Sequence, residues 1–327
     1  MRGLSVIVAL LVTVPTFAAR RHTVQPPRNS ACPQGVVVQP TELNWLVLSG
    51  DTFFLSDRLT GLQKAPKSGG PPVPVQPKIG LDISQFVVDE TSIYFITQDD
   101  AATGSIYSVP KTGGTPKLLA TKLAAPFDIA LDAASVYWAN IGTIVGDDIA
   151  ADGSIERILK NGSGRQVLAD KLSTPTSIAL DGNDLYFGEA GVGIGNPSAG
   201  VRRVSKSGGA VTNLVDGFGV LSIASSGSDV IYSGFSEPSA GIFRVPKAGG
   251  RPQLLACGVL GLTIVARDNI VYAFVVDEKF NALIISIPAL GGALRILRSA
   301  DFDSRSIAVD DCAVYYGLDL SVQRTPH

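Results

Sequence analysis

Histidine is almost absent from this sequence. The 327 residues include two, His22 and His327, so residues 23 to 326 contain no imidazole. A Ser-His-Asp triad, a histidine-rich metal centre and other chemistry that needs a base titrating near neutral pH are hard to build without one. The composition therefore disfavours the commonest kinds of hydrolytic active site.

Charge is also sparse and evenly balanced. Charged residues make up 17% of the chain, and 27 Lys and Arg against 29 Asp and Glu give a net charge of -2. Neither sign forms a long run, whereas nucleic-acid-binding surfaces need clustered cations. We expect a globular protein with no nucleic-acid partner, because 45% hydrophobic residues at this length support a large core.

Long apolar runs are missing as well. The run from Leu4 to Phe17 is broken by Pro15 and falls short of the ~20 residues that span a bilayer. Arg2 precedes it and small residues follow, which is typical of a secretory signal peptide. We predict a signal peptide over residues 1–18, a flexible leader over 19–31 and one domain over 32–327. The expected location is extracytoplasmic, either periplasmic or secreted, with no membrane span.

A repeat organises the rest of the chain. Its marker is an aromatic residue in a short apolar run, as in Ser135-Val-Tyr-Trp, and successive markers are separated by 41, 43, 49, 46, 40 and 43 residues. The seven markers, called anchors below, are Phe53, Tyr94, Tyr137, Tyr186, Tyr232, Tyr272 and Tyr315. Periods of this size are typical of the blades of a propeller.

Each repeat contains four strand-length runs. An apolar run ending in Asp is followed by a tight turn, the anchor run, a variable loop, a third run, a Gly-Gly turn and a fourth run. Glycines such as Gly113-Gly114 supply the positive φ angles that tight hairpins need. The runs are apolar on both faces, which indicates sheets stacked on both sides. The sequence therefore predicts an all-β fold, a β-propeller of four-stranded antiparallel blades.

The chain ends decide the number of blades. The last repeat stops at residues 321–326 without a fourth run, and residues 35–40 resemble the fourth run of the first repeat. We predict that this N-terminal strand completes a seventh blade and closes the ring, which removes the free sheet edge. A six-bladed body with an additional hairpin is the alternative.

Three cysteines allow one intramolecular disulfide at most. The meander places Cys32 and Cys312 at the same side of the composite blade, so we predict that they pair and hold the ring closed. Cys257 is then expected to be a free, buried thiol.

The repeats resemble known families. Val136-Tyr-Trp-Ala-Asn140 followed by Gly153 to Ile158 resembles the YWTD propeller repeat of the low-density-lipoprotein-receptor type, and two Val-Pro-Lys-x-Gly-Gly segments, Val109–Gly114 and Val245–Gly250, are similar to exported bacterial propellers. Only the third repeat has Tyr-Trp, and the receptor class has six blades. The resemblance implies the fold and leaves the activity unspecified.

Candidate binding residues lie where the second and third runs join. Variable loops on a rigid scaffold often carry binding, and the loop after Asn140 contains Asp147, Asp148 and Asp152. Three carboxylates suit calcium, but the usual loop spacing is absent, so a solvated acidic loop is the reading that we favour. No other cofactor is expected.

A second pattern lies three residues after each anchor. Repeats one to four are polar there and repeats five to seven are apolar, and the residues are Ser56, Thr97, Asn140, Glu189, Phe235, Val275 and Leu318. The hypothesis is a two-sided channel mouth that suits an amphipathic ligand or a peptide. Packing at the strand ends is the alternative.

These observations favour a monomeric, non-catalytic binding or scaffold module for a protein, peptide or glycan. A metal-dependent hydrolase or lactonase with acidic residues at the central channel is one alternative. A structural component of the cell envelope is the other.

Overall fold

Strands make up all the regular structure in the part of the chain that the computed structural model describes. The described residues are 35–40, 42–77, 82–99, 102–146, 148–191, 198–236, 239–300, 306–318 and 321–327. Within these ranges no helix has the length and hydropathy needed to cross a membrane. The predicted signal peptide (1–18), the predicted leader (19–31) and Cys32 lie outside the described residues.

Seven antiparallel sheets of four strands each account for all but two of the strands. After the N-terminal strand β1 (Gly35–Val38), the first blade contains β2 (Leu43–Ser49), β3 (Thr52–Asp57), β4 (Gly61–Pro66) and β5 (Val73–Pro77). The second contains β6 (Asp82–Val88), β7 (Ser92–Gln98), β8 (Thr103–Pro110) and β9 (Lys117–Ala124). The third contains β10 (Pro126–Leu131), β11 (Ser135–Asn140), β14 (Gly153–Leu159) and β15 (Gln166–Leu172), with the small hairpin β12 (Ile144–Val145) and β13 (Asp148–Ile149) inserted.

The remaining blades repeat this order. The fourth contains β16 (Pro175–Asp181), β17 (Asp184–Glu189), β18 (Gly200–Ser205) and β19 (Thr212–Asp216). The fifth contains β20 (Gly219–Ser226), β21 (Asp229–Ser236), β22 (Ser239–Pro246) and β23 (Gln253–Cys257). The sixth contains β24 (Val259–Arg267), β25 (Ile270–Asp277), β26 (Ala282–Pro288) and β27 (Arg295–Ala300). The seventh contains β28 (Ile307–Val309), β29 (Ala313–Leu318) and β30 (Ser321–Pro326), followed in space by β1.

The predicted seven-bladed propeller is therefore confirmed, and the six-bladed alternative is wrong. Ring closure also follows the prediction, because β1 pairs antiparallel with β30, with Gly35 opposite Arg324 and Val36 opposite Gln323. Chain ends far apart in sequence thus share one sheet, which leaves no gap in the ring.

The meander gives the disc two different faces. On one, the second strand of each blade joins the third and each blade joins the next; we call this the loop face. On the other, the first strand turns into the second and the third into the fourth; we call this the turn face. First strands line the central axis, and fourth strands form the outer edge of the disc.

A glycine at the start of several third strands shows how tightly the loop face is packed. A Cβ on Gly153 would lie 2.5 Å from Cδ of Pro175 and 2.9 Å from the carbonyl oxygen of Asn140. The segment that links blade 3 to blade 4 crosses here, so the close approach of backbone requires glycine.

The core lies between neighbouring blades. Trp138 of blade 3 is fully buried in the same apolar cluster as Ile106 and Leu119 of blade 2, and Phe187 of blade 4 shares a cluster with Tyr137 and Ile155 of blade 3. Every blade thus covers a face of the next one.

The pairing register corrects two of the anchors. Tyr137 lies opposite Ala130, and the equivalent pairs are Val47 with Phe54 in blade 1 and Ala224 with Ile231 in blade 5. Phe53 and Tyr232 are therefore each displaced by one residue, because two consecutive aromatic or apolar residues are ambiguous in a sequence. Blade 5 has no aromatic anchor in register.

The anchors take part in a contact between blades that we call the clasp. In it, a lysine from the third turn of one blade reaches the first-turn carboxylate of the preceding blade and lies over its anchor ring. Lys206 Nζ is 3.2 Å from Oδ2 of Asp132 and 5.8 Å from the centroid of Tyr137. The hydroxyl of Tyr137 donates to the same carboxylate oxygen at 2.9 Å. The same three side chains therefore form an ion pair, a hydrogen bond and a cation–π contact at once.

The clasp recurs around the turn face. Lys160 contacts Asp89 at 2.8 Å and Tyr94 at 5.6 Å. Two further clasps join Lys67 to Asp310, and Lys247 to Asp181 over Tyr186. Between blades 1 and 2 the first turn has Ser49 in place of the Asp, and Lys111 Nζ lies 3.1 Å from its hydroxyl oxygen and over the ring of Phe54. Of the two Val-Pro-Lys-x-Gly-Gly lysines, Lys247 thus contacts a first-turn carboxylate and Lys111 a first-turn hydroxyl.

Two further seams lack the lysine. Between blades 5 and 6, Ile231 and Ala289 stand where the ring and the lysine would be, and both belong to one buried apolar cluster. Between blades 6 and 7, the ring of His327 packs on the edge of Tyr272, with centroids 5.1 Å apart. The lysine and the aromatic ring are thus replaced together at the first of these seams, whereas at the second the ring of Tyr272 is retained and the lysine is replaced.

Two predictions concern the cysteines, namely the free thiol of Cys257 and the pairing of Cys32 with Cys312. Cys257 has a free thiol, as predicted, but it is exposed at the end of β23, so the expectation of burial is wrong. The outer strand of a blade faces solvent with alternate residues, and Cys257 falls on that side. The pairing of Cys32 with Cys312 stays a prediction because Cys32 lies outside the described residues.

The clasps are expected to make the fold sensitive to acid. Although burial opposes ionisation, hydrogen bonds from the backbone, Tyr137 and Lys206 lower the pKa of Asp132 from 3.8 to about 2. Because the folded-state pKa is below the unfolded one, this stabilisation is complete above pH 4 and is lost as the pH falls towards 2.

We therefore expect Asp132→Asn to destabilise the protein by about 1–2 kcal/mol at neutral pH, with a difference that shrinks on acidification. Urea unfolding at several pH values measures this. Asp148→Asn, at an exposed carboxylate, is the control and should match wild type throughout. A difference for Asp132→Asn that does not change with pH would contradict the role of the clasp.

Candidate ligand-binding channel

The central channel is the principal cavity that the described residues form around the axis. Its part nearest the loop face, the upper chamber, has a volume of about 370 Å³ and is lined by first strands from all seven blades. The part nearest the turn face, the lower chamber, has a similar volume and apolar walls from blades 1 to 4. Volumes of this order suit a small ligand or a single side chain.

A β-bulge shapes the upper chamber. In each of blades 1 to 6 the first strand shifts register near its loop-face end, as between Pro126 and Asp128 of β10. A bulge re-aims a side chain, and in blades 3 to 6 two consecutive side chains line the chamber. The pairs are Phe127 with Asp128, Thr176 with Ser177, Leu221 with Ser222, and Leu262 with Thr263.

Two sets of side chains result. One consists of large, half-buried apolar residues, and we call it the rim: Trp45, Phe127, Leu221 and Leu262. The other consists of polar residues directly after the bulges, and we call it the collar: Gln85, Asp128, Ser177, Ser222 and Thr263. The upper chamber therefore combines an apolar surface with a band of polar groups.

The collar connects successive blades. The first strand of each blade has an unpaired edge at the axis, so its N–H groups need other acceptors. Asp128 Oδ2 accepts from the backbone N–H of Ile178 at 2.7 Å. Ser177 Oγ accepts from Ile223 N at 3.2 Å, and Ser222 Oγ accepts from Ile264 N at 3.0 Å. These three collar residues thus each satisfy a backbone donor of the next blade.

Asp128 is the carboxylate of the collar. Its oxygens accept from Ile129 N at 2.9 Å, from Ile178 N and from the Ser177 side chain, and the Gln85 amide, oriented to donate, lies 2.8 Å from Oδ1. Burial nevertheless outweighs these hydrogen bonds and raises the pKa of Asp128 from 3.8 to about 6.

The polar residues predicted three positions after the anchors lie elsewhere. Ser56, Thr97, Asn140 and Glu189 are each at most 4% exposed, and none lines either chamber. The corrected register puts Asp57 in the place of Ser56, and Asp57 accepts from the backbone N–H groups of Glu42, Leu59 and Thr60. Direct ligand contact by these residues stays a prediction.

Their neighbours show what they support. Thr97 donates to Asp99 at 3.0 Å. Asn140 Nδ2 donates to Glu156 at 2.8 Å, and Arg165 pairs with the same glutamate at 2.7 Å. These contacts fix the strand ends from which the loops start.

Glu189 forms a buried ion pair. Its Oε2 lies 2.9 Å from Nε of Arg202, and its Oε1 accepts from Ser173 N at 2.7 Å. Burial raises the pKa of Glu189 although Arg202 and Ser173 oppose the shift. The guanidinium also donates to the carbonyl oxygens of Val215 and Ser198. The pair therefore ties the segment before blade 4 to its third strand.

The acidic loop of blade 3 folds as the hairpin of β12 and β13. Asp148 is exposed and pairs with Val145 across the hairpin. Asp152 accepts from the backbone and hydroxyl of Thr143, both at 2.7 Å, and these hydrogen bonds lower its pKa. Asp147 lies outside the described residues, so calcium binding here stays a prediction. In the described ranges no three His, Cys, Asp or Glu side chains are grouped to hold a metal.

Of the apolar residues placed in the same pattern, Val275 is fully buried. Phe235 lies opposite Gly219, one residue beyond the equivalent position, which is Gly234. The side chain of Leu318 is not among the described ones. The predicted division of the mouth into a polar and an apolar side stays a prediction.

The collar residues could have been recognised in the sequence from the repeat pattern. A polar residue comes directly before the first apolar run in six repeats, namely Gln85, Asp128, Ser177, Ser222, Thr263 and Ser306. The rim had no such signal, because the sequence does not show where a strand bulges. Without the bulge, alternation places Phe127 and Asp128 on opposite sides of the strand.

Comparison with known proteins supports the fold. No family model and no curated protein matches the chain. Among solved structures, the extracellular domain of a protein assigned as a one-component system of B. thetaiotaomicron matches at 11% identity and a TM-score of 0.65, over 90% of this chain and 40% of that one. The CNH domain of AfRom2 matches at 13% and 0.60, over 90% and 98%.

A puromycin-hydrolyzing peptidase of Mycobacterium tuberculosis matches at 12% identity and a TM-score of 0.62, over 85% of this chain. The chain spans about half of that protein, 49% of its length. Likeness at these identities shows a shared propeller fold and carries no activity.

The ionisation of Asp128 gives a second pH dependence of the opposite sign. Its folded-state pKa, about 6, is above the unfolded value of 3.8, so the stabilisation is complete below pH 4 and is lost as the pH rises through 6. The full shift corresponds to about 3 kcal/mol.

We expect wild type to lose stability relative to Asp128→Asn between pH 4.5 and 7.5, by at most about 3 kcal/mol. Chemical unfolding of both proteins at each pH measures the difference. A constant difference between the two would show that the carboxylate does not titrate in this range.

Proposed function

We propose that the protein is an extracytoplasmic binding module without catalytic activity, which receives a protein, peptide or glycan partner on its loop face. The observation that carries the proposal is the rim. Trp45, Phe127, Leu221 and Leu262 are large apolar residues left half-buried in the lining of a preformed chamber. Clefts with apolar walls and a few polar groups are the usual form of a binding site.

The loops support the loop face as the place of contact. The hairpin of blade 3 packs on the rim, because Ile141 and Ile149 share a cluster with Phe127 and Ile144. Val145 in the same hairpin is 69% exposed. A partner that reaches the rim therefore meets this hairpin, and loops on a rigid scaffold are suited to recognition.

The size of the chamber limits what can enter. About 370 Å³ is near the lower end of the ~300–1,000 Å³ of ligand pockets. One side chain or one sugar ring fits, and the remainder of a larger partner would lie across the loops. A single inserted group surrounded by a wider contact is the arrangement of a binding hot spot.

The chemistry of the chamber supports binding over turnover. Asp128 is the one carboxylate among the residues lining the upper chamber, and its oxygens already accept hydrogen bonds that join blades. The general acid and base of a hydrolase need two groups with separate tasks. Export is supported by the signal-peptide pattern of residues 1–18.

Photo-crosslinking from opposite faces tests the proposal. Val145 on the loop face and Leu290 on the turn face are 69% and 68% exposed, so a benzoylphenylalanine at each position is equally accessible. We expect a discrete crosslinked partner from the native extracytoplasmic fraction with the probe at Val145 and none at Leu290.

Trp45→Ala, combined with the probe at Val145, should reduce the crosslink because the rim loses its largest group. Crosslinking from Leu290 alone, or a Val145 crosslink that is indifferent to Trp45, would contradict binding at the channel mouth.

A further inference from the structure

Asp128 is half-buried, and the groups that donate hydrogen bonds to it are uncharged. Glu156 is paired with Arg165 and Glu189 with Arg202, and the clasp carboxylates have lysines. No Lys, Arg or His is among the residues that line the upper chamber. A carboxylate without a counter-ion leaves its net charge in the lumen, where the surrounding protein screens it poorly.

The hydrogen bonds of Asp128 do not remove this charge. Two of its donors are backbone N–H groups, of Ile129 and Ile178, which are fixed by the strands. The other two are the Gln85 amide and the Ser177 hydroxyl, which belong to side chains; the hydroxyl hydrogen can rotate away while Ser177 Oγ still accepts from Ile223 N. A stronger donor can therefore take their place on the carboxylate without any change in the backbone.

The rim suits the passage of a cation. Phe127 precedes Asp128 by one residue on the side of the loop face, and Trp45 occupies in blade 1 the register position that Asp128 has in blade 3; the faces of such rings attract ammonium and guanidinium groups. Leu221 and Leu262 provide aliphatic surface, which matches the methylene stem of a lysine or arginine side chain. A group that enters from the loop face thus meets apolar and aromatic surface before the carboxylate, and Trp45 lies at the level of the carboxylate itself.

The lower chamber lacks this order. Its lining consists of Val, Ile, Ala and Leu from blades 1 to 4, without a charged or aromatic residue among those described. A cation that approaches from the turn face meets no comparable site, so the route to Asp128 starts at the loop face.

We propose that the upper chamber binds an ammonium or guanidinium group, inserted from the loop face between the rim residues and paired with the carboxylate of Asp128. This inference rests on the proposed function and names the chemistry of the inserted group. A lysine or arginine side chain of a peptide partner and a free alkylamine share this chemistry, and the experiment separates them.

The test uses the full chain, two peptides and one small probe. The peptides are acetyl-Leu-Lys-Leu-amide and its norleucine counterpart, which differ by the ammonium group, and the probe is butylammonium. Calorimetry with wild type, Asp128→Asn and Asp170→Asn gives the affinities. Asp170→Asn removes the same charge from the exposed outer strand β15 of the same blade, outside the chamber.

We expect wild type to prefer the lysine peptide over the norleucine peptide by about tenfold or more, corresponding to ~1.4 kcal/mol. Asp128→Asn should lose this preference, and Asp170→Asn should keep it. Butylammonium that competes with the lysine peptide at similar concentration indicates a free amine as ligand. Competition only at much higher concentration indicates a peptide side chain.

The preference should also depend on pH. The neighbours that face Asp128 from the adjacent first strands, Gln85 and Ser177, do not titrate. Protonation of Asp128 as the pH falls through about 6 removes the charge and should abolish the preference in wild type, with no change in Asp128→Asn.

Equal affinity of wild type and Asp128→Asn for the lysine peptide, or absence of a lysine preference at neutral pH, would overturn the inference. The proposed function is tested separately by the crosslinks. If Val145 still crosslinks a partner while the lysine preference is absent, the channel mouth binds a partner without a cation. If both results are negative, the two proposals fail together.

Discussion

The clasp, in which a lysine contacts a carboxylate and an aromatic side chain of the preceding blade, is the interaction on which the arrangement of the seven blades depends. A single exposed ion pair contributes little, about 0–1 kcal/mol. Here the carboxylate also accepts from the tyrosine hydroxyl and from the backbone of its own turn, as at Asp132. One side chain thus fixes a turn, an anchor and a neighbouring blade, and the contact recurs at most seams.

The circular arrangement of the blades also produces the central channel. First strands meet at the axis with one edge unpaired, and the collar satisfies their N–H groups from blade to blade. The bulges that open the ladder for this purpose also turn a second side chain into the lumen. The rim at the mouth is therefore a consequence of how the inner edges are satisfied. Asp128 combines both roles, because it connects blades 3 and 4 and leaves a charge in the chamber.

Much of the fold was predictable because the same strand and turn signals recur in each repeat. The period, the Asp before the turn and the glycine pairs each indicate strand and turn boundaries, and the missing fourth run indicates the closing strand. Local register was harder. Phe53 and Phe54 are adjacent, as are Ile231 and Tyr232, and only the pairing with Val47 and Ala224 decides between them.

The candidate site was the least predictable part. Polar residues at strand ends, such as Asn140 and Glu189, resemble site residues in a sequence, yet they are buried in contacts that hold the loops. Rim residues such as Phe127 and Leu221 resemble ordinary core until the bulges are known. Partner choice depends on how these side chains meet in space, and a linear pattern does not contain that information.

A double-mutant cycle on Asp132→Asn and Lys206→Met tests the central claim most directly. If the clasp couples blades 3 and 4, unfolding free energies should show an interaction of about 1 kcal/mol between the two sites, beyond the ~0.5 kcal/mol within which independent changes add. The cycle on Asp148→Asn and Lys279→Met, two exposed residues in different blades, should be additive. Additivity at Asp132 and Lys206 would contradict the account, because the ring would then depend on apolar packing alone.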